Sequence, residues 1–533
     1  MSTDQTLYLE TMGCQMNALD SELVLGELLS RGYRLTEEME RAGLVIINTC
    51  SVRQHAEDKV YSRLGYLKRA RQRRADQVIA VIGCMAERDG DGLLAKMPNV
   101  DILCGPSELH RLPGLVDEVR AARATDPSSK NGSSTNGRSR HKNGAAPKAI
   151  ALSGRLREHS TPVRQLGPHD DLEALDSGRV FATTSHAHTP KVFGRHQAYV
   201  RITRGCNKYC SFCVVPFTRG PEVHRPPDHI VDEVRRLADA GVIEVTLLGQ
   251  TVNHYHYRPE GGGRSTSFAE LLRRVHDEVP QLPRLRFVTS YPRDFTDETL
   301  AVMAESPRIC RYLHIPAQSG SNEVLKRMNR GYTVEEYRAL LDRARARMPD
   351  LCIAGDMIVG FCGETEDDFR QSVELLRDAR YKNCFIFKYS PRPGTKADER
   401  LVDDVPDEVK RRRNNDLLAV QAEINVANHR AMLEQCVEVL VEGHSKKALR
   451  MQESEQSRGE EVDTAARTSG QLVGRTSGDQ IVVFDGSEEL IGRLVSVRIV
   501  AATPYTLHGQ LECEPTGSDT RLKRRNMALS VLK

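Results

Sequence analysis

The chain lacks the features that would place it in a membrane or outside the cell. Among its 533 residues there is no apolar run near 18 residues, so we expect no membrane-spanning helix. The first residues, Met1–Thr6, are acidic and polar and lack the cationic start and apolar core of a secretory signal. We therefore expect a cytoplasmic protein. The net charge is only +3, so overall charge gives no sign of a nucleic-acid partner.

Basic residues are nevertheless concentrated in two short runs, 68–74 and 521–525. Such runs are usually solvated surfaces, and contact with phosphate is the alternative. A hydrophobic content of 39% is sufficient for real cores, and the length indicates roughly two to four domains.

Cysteine is present in an arrangement suited to a metal centre. Cys206, Cys210 and Cys213 are separated by three and then two residues, with no further Cys or His between them. Structural zinc sites normally have four protein ligands, and iron–sulfur cubanes are usually held by four thiolates. Three thiolates on one loop therefore indicate a cluster with one open iron. A zinc knuckle and a chance group of buried cysteines are the alternatives.

A second group of cysteines is spread over the first part of the chain. Residues 1–122 repeat a strand–loop–helix pattern, and three of the apolar runs end close to a cysteine. These cysteines are Cys14, Cys50 and Cys84. Because the carboxyl ends of parallel strands share one sheet edge, where ligands bind, we expect the three thiols to converge; ordinary cysteines at strand ends are the alternative. Cys104 follows another apolar run, and we interpret it as structural because a Gly-Pro pair follows directly.

The chain divides into five segments of an α/β multidomain protein. The N-terminal parallel α/β domain covers 1–122, and the Ser-, Gly- and Asn-rich segment 123–192 is expected to be a disordered linker or insertion. Strands and helices alternate six times in 193–430, which predicts a partial (β/α)6 barrel. Residues 431–514 alternate around glycine turns and predict a small β-barrel, an architecture often used on oligonucleotides; a purely structural appendage is the alternative. A basic tail, 515–533, follows.

Polar residues follow the strands of the predicted six-unit barrel. The strands are expected to end near Thr203, Leu248, Thr289, Ile315, Val359 and Tyr389. Barrel enzymes place their working groups just after strand ends. Four side chains there offer hydrogen bonds to a ribose or an amino acid, and two glycines would let a ligand approach the backbone: Gln250, Asn253, Gln318, Ser319, Gly360 and Gly363. Each alone is as compatible with a cap or turn, but the repeated placement indicates a site. Arg392 is expected to bind a carboxylate or phosphate, or to form a structural salt bridge.

These segments resemble the methylthiotransferase family of radical S-adenosylmethionine (SAM) enzymes over nearly the whole chain. The most specific match runs from Gly205 through the three cysteines to Gly220. Cys14-Gln15-Met16-Asn17 resembles the branch that acts on isopentenylated adenosine beside the tRNA anticodon, since sister branches differ at Gln15-Met16. The chain departs from the family pattern in the 123–192 insertion, in Cys362 where Pro is usual, and in an expanded loop around 446–466 of the C-terminal TRAM domain.

The resemblance implies an enzyme with two [4Fe-4S] clusters and SAM. Cys206, Cys210 and Cys213 would hold the cluster that cleaves SAM, and Cys14, Cys50 and Cys84 an auxiliary cluster that carries the sulfur to be transferred. The substrate would be carbon 2 of isopentenyladenosine in tRNA. Further partners implied are an electron donor such as flavodoxin or ferredoxin and proteins that supply sulfur or clusters, with no membrane involved. A monomer is compatible with the sequence, which leaves the oligomeric state open.

Two other functions remain open from the residues. The same chemistry on another substrate, either threonylcarbamoyl-adenosine in tRNA or a ribosomal protein side chain, differs only in what the active site accepts. A non-catalytic zinc protein that binds RNA through its β-barrel and basic runs would carry zinc and cleave no SAM.

Overall fold

The computed structural model describes residues 5–51, 54–70, 74, 76–125, 148–153, 164–165, 170–179, 196–259, 261–450 and 469–512. Within these ranges, every helix is too short or too polar to cross a lipid bilayer. Lys68 and Arg69 of the first basic run are exposed at the end of a helix. Residues 71–73, the second basic run and the basic tail lie outside the described ranges.

The strands are β1 (Thr6–Thr11), β2 (Arg34–Leu35), β3 (Leu44–Thr49), β4 (Val78–Gly83), β5 (Ile102–Cys104), β6 (Ala149–Ala151), β7 (Arg164–Gln165), β8 (Gln197–Arg201), β9 (Thr203–Arg204), β10 (Val223–His224), β11 (Glu244–Leu248), β12 (His256–Tyr257), β13 (Thr266–Ser267), β14 (Arg284–Phe287), β15 (Tyr312–His314), β16 (Cys352–Val359), β17 (Asn383–Lys388), β18 (Cys436–His444), β19 (Ser469–Thr476), β20 (Ile481–Ser487), β21 (Leu494–Ala502) and β22 (Leu507–Leu511). The α-helices are α1 (Gln15–Ser30), α2 (Gln54–Ala70), α3 (Cys84–Lys96), α4 (Leu112–Thr125), α5 (Asp171–Ser177), α6 (Val215–Arg219), α7 (Pro227–Asp239), α8 (Phe268–Glu278), α9 (Asp297–Glu305), α10 (Asn322–Arg327), α11 (Val334–Arg347), α12 (Glu366–Ala379), α13 (Lys396–Arg400) and α14 (Asp407–Arg430).

The N-terminal domain is built on a parallel sheet with the strand order β2-β1-β3-β4-β5-β6. Every residue of the central strands β3 and β4 is buried, as expected for a parallel sheet covered on both faces. One face packs on α1 and α4, and the other on α2 and α3. The prediction of an N-terminal parallel α/β domain is confirmed. The carboxyl ends of β1, β3 and β4 lie side by side at one edge.

The prediction of a disordered linker over 123–192 is wrong for parts of that segment. Helix α4 continues to Thr125, β6 pairs with β5 as the outermost strand of the sheet, and α5 contacts both the N-terminal domain and the barrel. Strand β6 and helix α5 are too short to carry a hydrophobic period, and tertiary contacts rather than local propensity stabilise them. The remaining parts, 126–147, 154–163, 166–169 and 180–192, lie outside the described residues.

Helix α5 contributes two buried carboxylates to arginines of the barrel. Asp176 accepts hydrogen bonds from Arg201 Nη2 at 2.6 Å and from Arg204 Nη2 at 2.7 Å. Glu173 binds Arg225 through both carboxylate oxygens, at 2.8 and 2.9 Å. All five side chains are nearly inaccessible to solvent. Buried charges are tolerated only when each has its partner. Helix α5 therefore supplies negative charges that these buried arginines need in the folded protein.

The middle of the chain forms an open barrel of six strands. Strands β8, β11 and β14 form one parallel sheet, and β15, β16 and β17 form another. A parallel bridge between Leu285 and Ile309 and a hydrogen bond from Ser290 N to His314 O join the two sheets. The outward side chains of the strands are apolar and pack on the surrounding helices. The partial (β/α)6 barrel predicted from the sequence is confirmed.

The last domain is a closed five-stranded barrel with the order β18-β19-β20-β22-β21, as the glycine turns predicted. Its turn after β19 is seated against the amino-terminal ends of the central barrel's strands. Arg284 Nη1 donates to Arg475 O at 2.9 Å, Arg311 N donates to Ser477 Oγ at 2.8 Å, and Lys382 Nζ lies 2.6 Å from Asp479 Oδ2. The small barrel therefore covers the lower end of the six-stranded barrel, away from the strand ends that carry the candidate site.

Replacement of Asp176 by Ala tests the importance of α5. The substitution leaves Arg201 and Arg204 without this buried partner, and we expect a loss of about 3–5 kcal/mol in the free energy of unfolding. Urea denaturation of the full chain measures the change. Asp171→Ala is the matched control: it lies on the same helix, its side chain is 81% exposed, and its effect should stay within about 0.5 kcal/mol. Equal effects of the two substitutions would contradict the structural role assigned to Asp176.

Candidate metal centre and nucleotide site

Three cysteines of the N-terminal domain meet at the carboxyl edge of its sheet. Cys14 ends the turn after β1 as the N-cap of α1, Cys50 directly follows β3, and Cys84 directly follows β4. Two glycines with left-handed backbone make this approach possible. A Cβ on Gly13 (φ 136°) would lie 2.6 Å from Cys50 Cβ, and one on Gly83 (φ 94°) would lie 2.6 Å from Thr49 O. The structure thus brings together the three thiols that were expected to converge.

Arg219 places a positive charge beside these thiols, which favours the thiolate form. A hydrogen bond with Cys50 and the positive charge of Arg219 lower the pKa of the Cys14 thiol to about 6, although desolvation by the surrounding protein opposes the shift. Burial raises the pKa of the Cys84 thiol, while Arg219 and a hydrogen bond with Thr218 act in the opposite direction. Thiolates are the form in which cysteine binds metals, so this donor set fits an iron–sulfur cluster.

Asn17 organises the turn around Cys14 from the first part of α1. Its Oδ1 lies 3.1 Å from Cys14 Sγ, and its Nδ2 donates to Asn48 Oδ1 at 2.9 Å and to Thr49 O at 2.7 Å. Asn48 Nδ2 in turn donates to Asn17 O and to Ser21 Oγ. The network is buried and links two of the three cysteine-bearing turns. It belongs to the Cys14-Gln15-Met16-Asn17 motif, whose sequence alone does not indicate this role.

The other three cysteines lie on the loop between β9 and α6. Gly205 (φ 71°) starts the loop at a point where a Cβ would lie 2.1 Å from Pro221 O. Burial raises the pKa of the Cys206 thiol to about 11, and the pKa of Cys213 is raised by burial and by the neighbouring thiols of Cys210 and Cys206. Three mutually repelling thiolates need a compensating cation, which a cluster iron provides. Arg330 supplies a further positive charge, since its Nη1 lies 3.3 Å from Cys210 Sγ.

The two cysteine sites face each other along the short helix α6. This helix starts two residues after Cys213 and has five residues, so it spans only about 8 Å. At its far end, Thr218 hydrogen-bonds with Cys84 and Arg219 carries its charge next to Cys14 and Cys84. Asp20 holds Arg219 in this position, with Oδ2 at 2.9 Å from Arg219 Nη2. The two sites are therefore neighbours in one continuous active region.

Some of the polar residues predicted to contact a ligand at the barrel mouth have an unpartnered side-chain atom, and others are hydrogen-bonded within the protein. Gln250 Oε1 is buried and has no hydrogen-bond partner among the described residues. Asn253 is engaged elsewhere: its amide exchanges two 2.8 Å hydrogen bonds with the Tyr291 backbone. Ser319 Oγ accepts from Ser321 N at 3.2 Å and lies 3.4 Å from Ser372 Oγ, and it is almost fully buried.

The predicted glycines serve the fold of their turns. A Cβ on Gly360 would lie 2.3 Å from Lys410 Cγ, and its N–H donates to Glu364 Oε1. Gly363 donates to Asp404 Oδ1 at 2.7 Å, and both glycines have positive φ. Arg392 is paired with Glu57 at 3.0 Å between buried side chains, which matches the structural salt bridge rather than a ligand contact.

Two residues at the mouth of the six-stranded barrel have a backbone conformation that is unfavourable for their residue type. Thr289 has a φ of 73° and Gln318 a φ of 75°, a conformation that is costly for a β-branched residue and uncommon for any residue except glycine. Each residue lies just beyond a barrel strand, and Ser290 Oγ beside Thr289 is a further buried atom without a hydrogen-bond partner in the described part of the chain. Such strain concentrates at ligand sites, where the surrounding structure maintains it.

The inner face of the barrel carries side chains that sequence analysis did not single out. His314 Nε2 lies 3.2 Å from Asp356 Oδ1, and the ring of Phe385, 46% exposed, lies next to His314 with ring centroids 6.5 Å apart. Phe385 is opposite Asp356 in the strand register. The signal available in the sequence was the alternation along β16 and β17, which places these residues on the face opposite the apolar core.

Gly13→Ala tests the convergence of the N-terminal thiols. The new methyl group would collide with Cys50 and the backbone would be strained, so we expect iron in the anaerobically reconstituted protein to fall from about eight to about four atoms per chain. Iron and sulfide are measured chemically. Gly92→Ala on α3 is the control, because a Cβ there meets no atom within 4 Å. Unchanged iron in Gly13→Ala would show that the Cys14 turn is not held as described.

Three parts of the chain match models of known protein families. Residues 6–105 match the model described as Uncharacterized protein family UPF0004, residues 200–376 the Radical SAM superfamily, and residues 460–511 the TRAM domain. Among solved structures, the radical S-adenosylmethionine methyltransferase TsrM from Kitasatospora setae matches with a TM-score of 0.47 and 17% identity, covering 74% of each chain.

Curated relatives match nearly the whole chain. The tRNA-2-methylthio-N(6)-dimethylallyladenosine synthase of Rhodopirellula baltica is 41% identical over 512 residues, which cover 96% of both chains. The synthases of the same name from Syntrophotalea carbinolica and Chromobacterium violaceum are each 38% identical; the first match covers 93% of this chain and 98% of the relative, and the second 95% and 98%. The chain thus belongs to the family of tRNA-2-methylthio-N(6)-dimethylallyladenosine synthases.

Proposed function

We propose that this protein is a cytoplasmic radical SAM methylthiotransferase that inserts a methylthio group at carbon 2 of N(6)-dimethylallyladenosine next to the tRNA anticodon. The observation that carries the proposal is the position of two three-thiol sites at opposite ends of the single short helix α6. Sulfur insertion needs a sulfur source within reach of the place where a substrate radical is made. The family of the chain supplies the identity of the substrate.

The chain's own residues hold and tune two [4Fe-4S] clusters. Cys206, Cys210 and Cys213 would hold the cluster that supplies the electron for reductive cleavage of SAM, and Cys14, Cys50 and Cys84 would hold the cluster that supplies the sulfur. Arg330 donates toward Cys210, and a hydrogen bond or positive charge at a ligating sulfur raises a cluster's reduction potential. Arg219 plays the corresponding role for Cys14 and Cys84.

SAM would bind over the barrel mouth, next to the Cys206 loop. The unpartnered Gln250 Oε1 and Ser290 Oγ are the groups best placed to receive its polar atoms, and Gln318 would contribute from its strained backbone. Asn253 acts as a positioning residue because its amide orders the Tyr291 backbone. The close packing of Ser319, Gly360 and Gly363 supports a role in shaping the turns around SAM rather than direct contact with it.

The inner face of the barrel is the proposed place for the adenine base. An exposed aromatic ring such as Phe385 offers a stacking surface to a purine, and the His314–Asp356 pair beside it offers hydrogen-bonding atoms. The C-terminal TRAM barrel is proposed to bind tRNA outside the modified nucleotide. A low-potential electron donor such as flavodoxin or ferredoxin and proteins that restore the consumed sulfur complete the proposed set of partners.

The triple variant Cys14→Ala/Cys50→Ala/Cys84→Ala separates the two sites. We expect about eight irons per wild-type chain and about four in the variant, because the Cys206 site is left intact. The variant should still cleave SAM to 5′-deoxyadenosine but form no methylthio product, as followed by mass spectrometry of nucleosides. About four irons in both proteins would make the N-terminal cysteines structural, and zinc without iron would overturn the catalytic proposal.

Substrate choice is tested with one tRNA prepared in three forms that differ only at the adenosine next to the anticodon. The dimethylallyl form should be converted, whereas the unmodified form and the threonylcarbamoyl form should give no more than a few per cent of its product, since the relatives of this chain are named for the dimethylallyl substrate. The measurement is the yield of 2-methylthio nucleoside in single-turnover reactions. Preferential conversion of the threonylcarbamoyl form would assign the chain to the sister activity.

A further inference from the structure

A cluster of two histidines and one glutamate lies beside the Cys206 loop and has no part in the proposed reaction. Glu222 Oε1 is 3.3 Å from His224 Nε2, and Glu222 Oε2 is 2.7 Å from His254 Nδ1. One ligand atom from each residue lies within 4.8 Å of the others. Two ligands bound to zinc at about 2.0–2.1 Å in tetrahedral geometry are separated by about 3.3 Å, so the spacing suits a metal ion.

Two atoms of this cluster lack hydrogen-bond partners. Glu222 Oε1 and His224 Nε2 are both buried and neither makes a hydrogen bond in the described part of the chain. The two side chains are only 1% and 2% exposed. A buried carboxylate oxygen and a buried imidazole nitrogen that face each other without a hydrogen bond are costly, and a cation between them removes that cost.

The surroundings hold His224 in the orientation of a metal ligand. Its Nδ1 lies 2.8 Å from the backbone oxygen of His256, and metal-bound histidines commonly donate their other ring N–H to such a carbonyl. The backbone N–H of His256 also lies 3.1 Å from this nitrogen, so both tautomers of the ring find a partner there. In the tautomer with its proton on Nδ1, Nε2 presents its lone pair toward Glu222. The His224 ring also stacks on Tyr255, with ring centroids 5.4 Å apart, and the Tyr255 hydroxyl donates to Arg225 O.

We infer that Glu222, His224 and His254 form a binding site for a divalent transition metal of the zinc class. Two imidazoles and one carboxylate are a set of zinc ligands that leaves a fourth position open. His254 is 36% exposed, so water reaches the cluster from its side and fills that position.

The site is separate from both cysteine groups but connected to one of them. Glu222 N donates to Asn207 Oδ1 at 3.0 Å, and Asn207 directly follows Cys206. His254 belongs to the turn that also carries Asn253. A metal here would tie strand β10 to that turn and hold Asn207, and with it the start of the cluster loop, against the barrel mouth.

A proton is the competing occupant of the same space. The hydrogen bond to Glu222 raises the pKa of His254, whereas burial and nearby Lys208 act in the opposite direction. Burial alone would raise the pKa of Glu222, but the neighbouring His224 and His254 outweigh burial and lower it. The carboxylate is thus charged, and direct metal analysis decides between a protonated histidine and a metal ion.

The test uses the anaerobically reconstituted holoenzyme exposed to a small excess of zinc sulfate and then passed through a desalting column. Zinc and iron are quantified by mass spectrometry, and the zinc environment is read by X-ray absorption at its K edge. We expect about one zinc per chain with only nitrogen and oxygen neighbours at about 2.0–2.1 Å. Zinc displaced into a cysteine site would instead show sulfur at about 2.3 Å, and that result would overturn the inference.

Variants locate the zinc and control for folding. His224→Gln and His254→Gln should each lower bound zinc at least about tenfold with iron content unchanged, and the partly exposed His254 provides a variant that does not disturb the buried core. His256→Gln is the matched control: it lies in the same segment but contributes only its backbone to the site, so zinc should be retained. Failure of the wild type to retain zinc, or equal retention by wild type and both ligand variants, would overturn the inference. Iron content and methylthio transfer report on the proposed function independently.

Discussion

The arrangement of the active region depends on one buried carboxylate, Asp20. Its Oδ1 accepts from Arg201 at 2.7 Å and its Oδ2 from Arg219 at 2.9 Å. Arg201 ends the first barrel strand, Arg219 ends α6, and Asp20 itself lies on the helix that starts after Cys14. Burial alone would raise the pKa of Asp20, but Arg219 and Arg201 hold it below its usual value. Because these three charges are satisfied only together, the distance between the two cysteine sites is set by an ion-pair network and not by a flexible linker.

Much of this arrangement could be predicted from local patterns. The apolar runs before Cys14, Cys50 and Cys84 correspond to the neighbouring strands β1, β3 and β4, and the geometry of a parallel sheet was sufficient to bring their ends together. The six barrel strands end within a few residues of the predicted positions. In these cases a short-range pattern determines a long-range contact, because strand ends of one sheet can lie in only one place.

Other features could not be read from the sequence because they depend on tertiary partners. Nothing in the composition of 123–192 distinguishes α5 from its polar neighbours, yet Asp176 and Glu173 are buried by arginines far along the chain. Asn253 and Ser319 looked like ligand contacts by position, but the fold satisfies them internally. Gln250 looked the same in the sequence and remains unpartnered. A polar residue at a strand end marks the site, and only its hydrogen bonds distinguish a ligand contact from a structural one.

The TRAM barrel packs against the amino-terminal ends of the six-stranded barrel's strands, and this position has a consequence for substrate size. Contacts from Arg284, Arg311 and Lys382 fix the TRAM barrel below strands of up to eight residues, whose length is about 25 Å. An RNA bound by both the TRAM barrel and the catalytic mouth must therefore reach along the outside of the enzyme over at least that distance. A free nucleoside or a short oligonucleotide cannot, whereas a folded hairpin can. If both barrels contact the tRNA as proposed, the position of the TRAM barrel adds the length of the RNA to the chemistry of one base as a condition for binding.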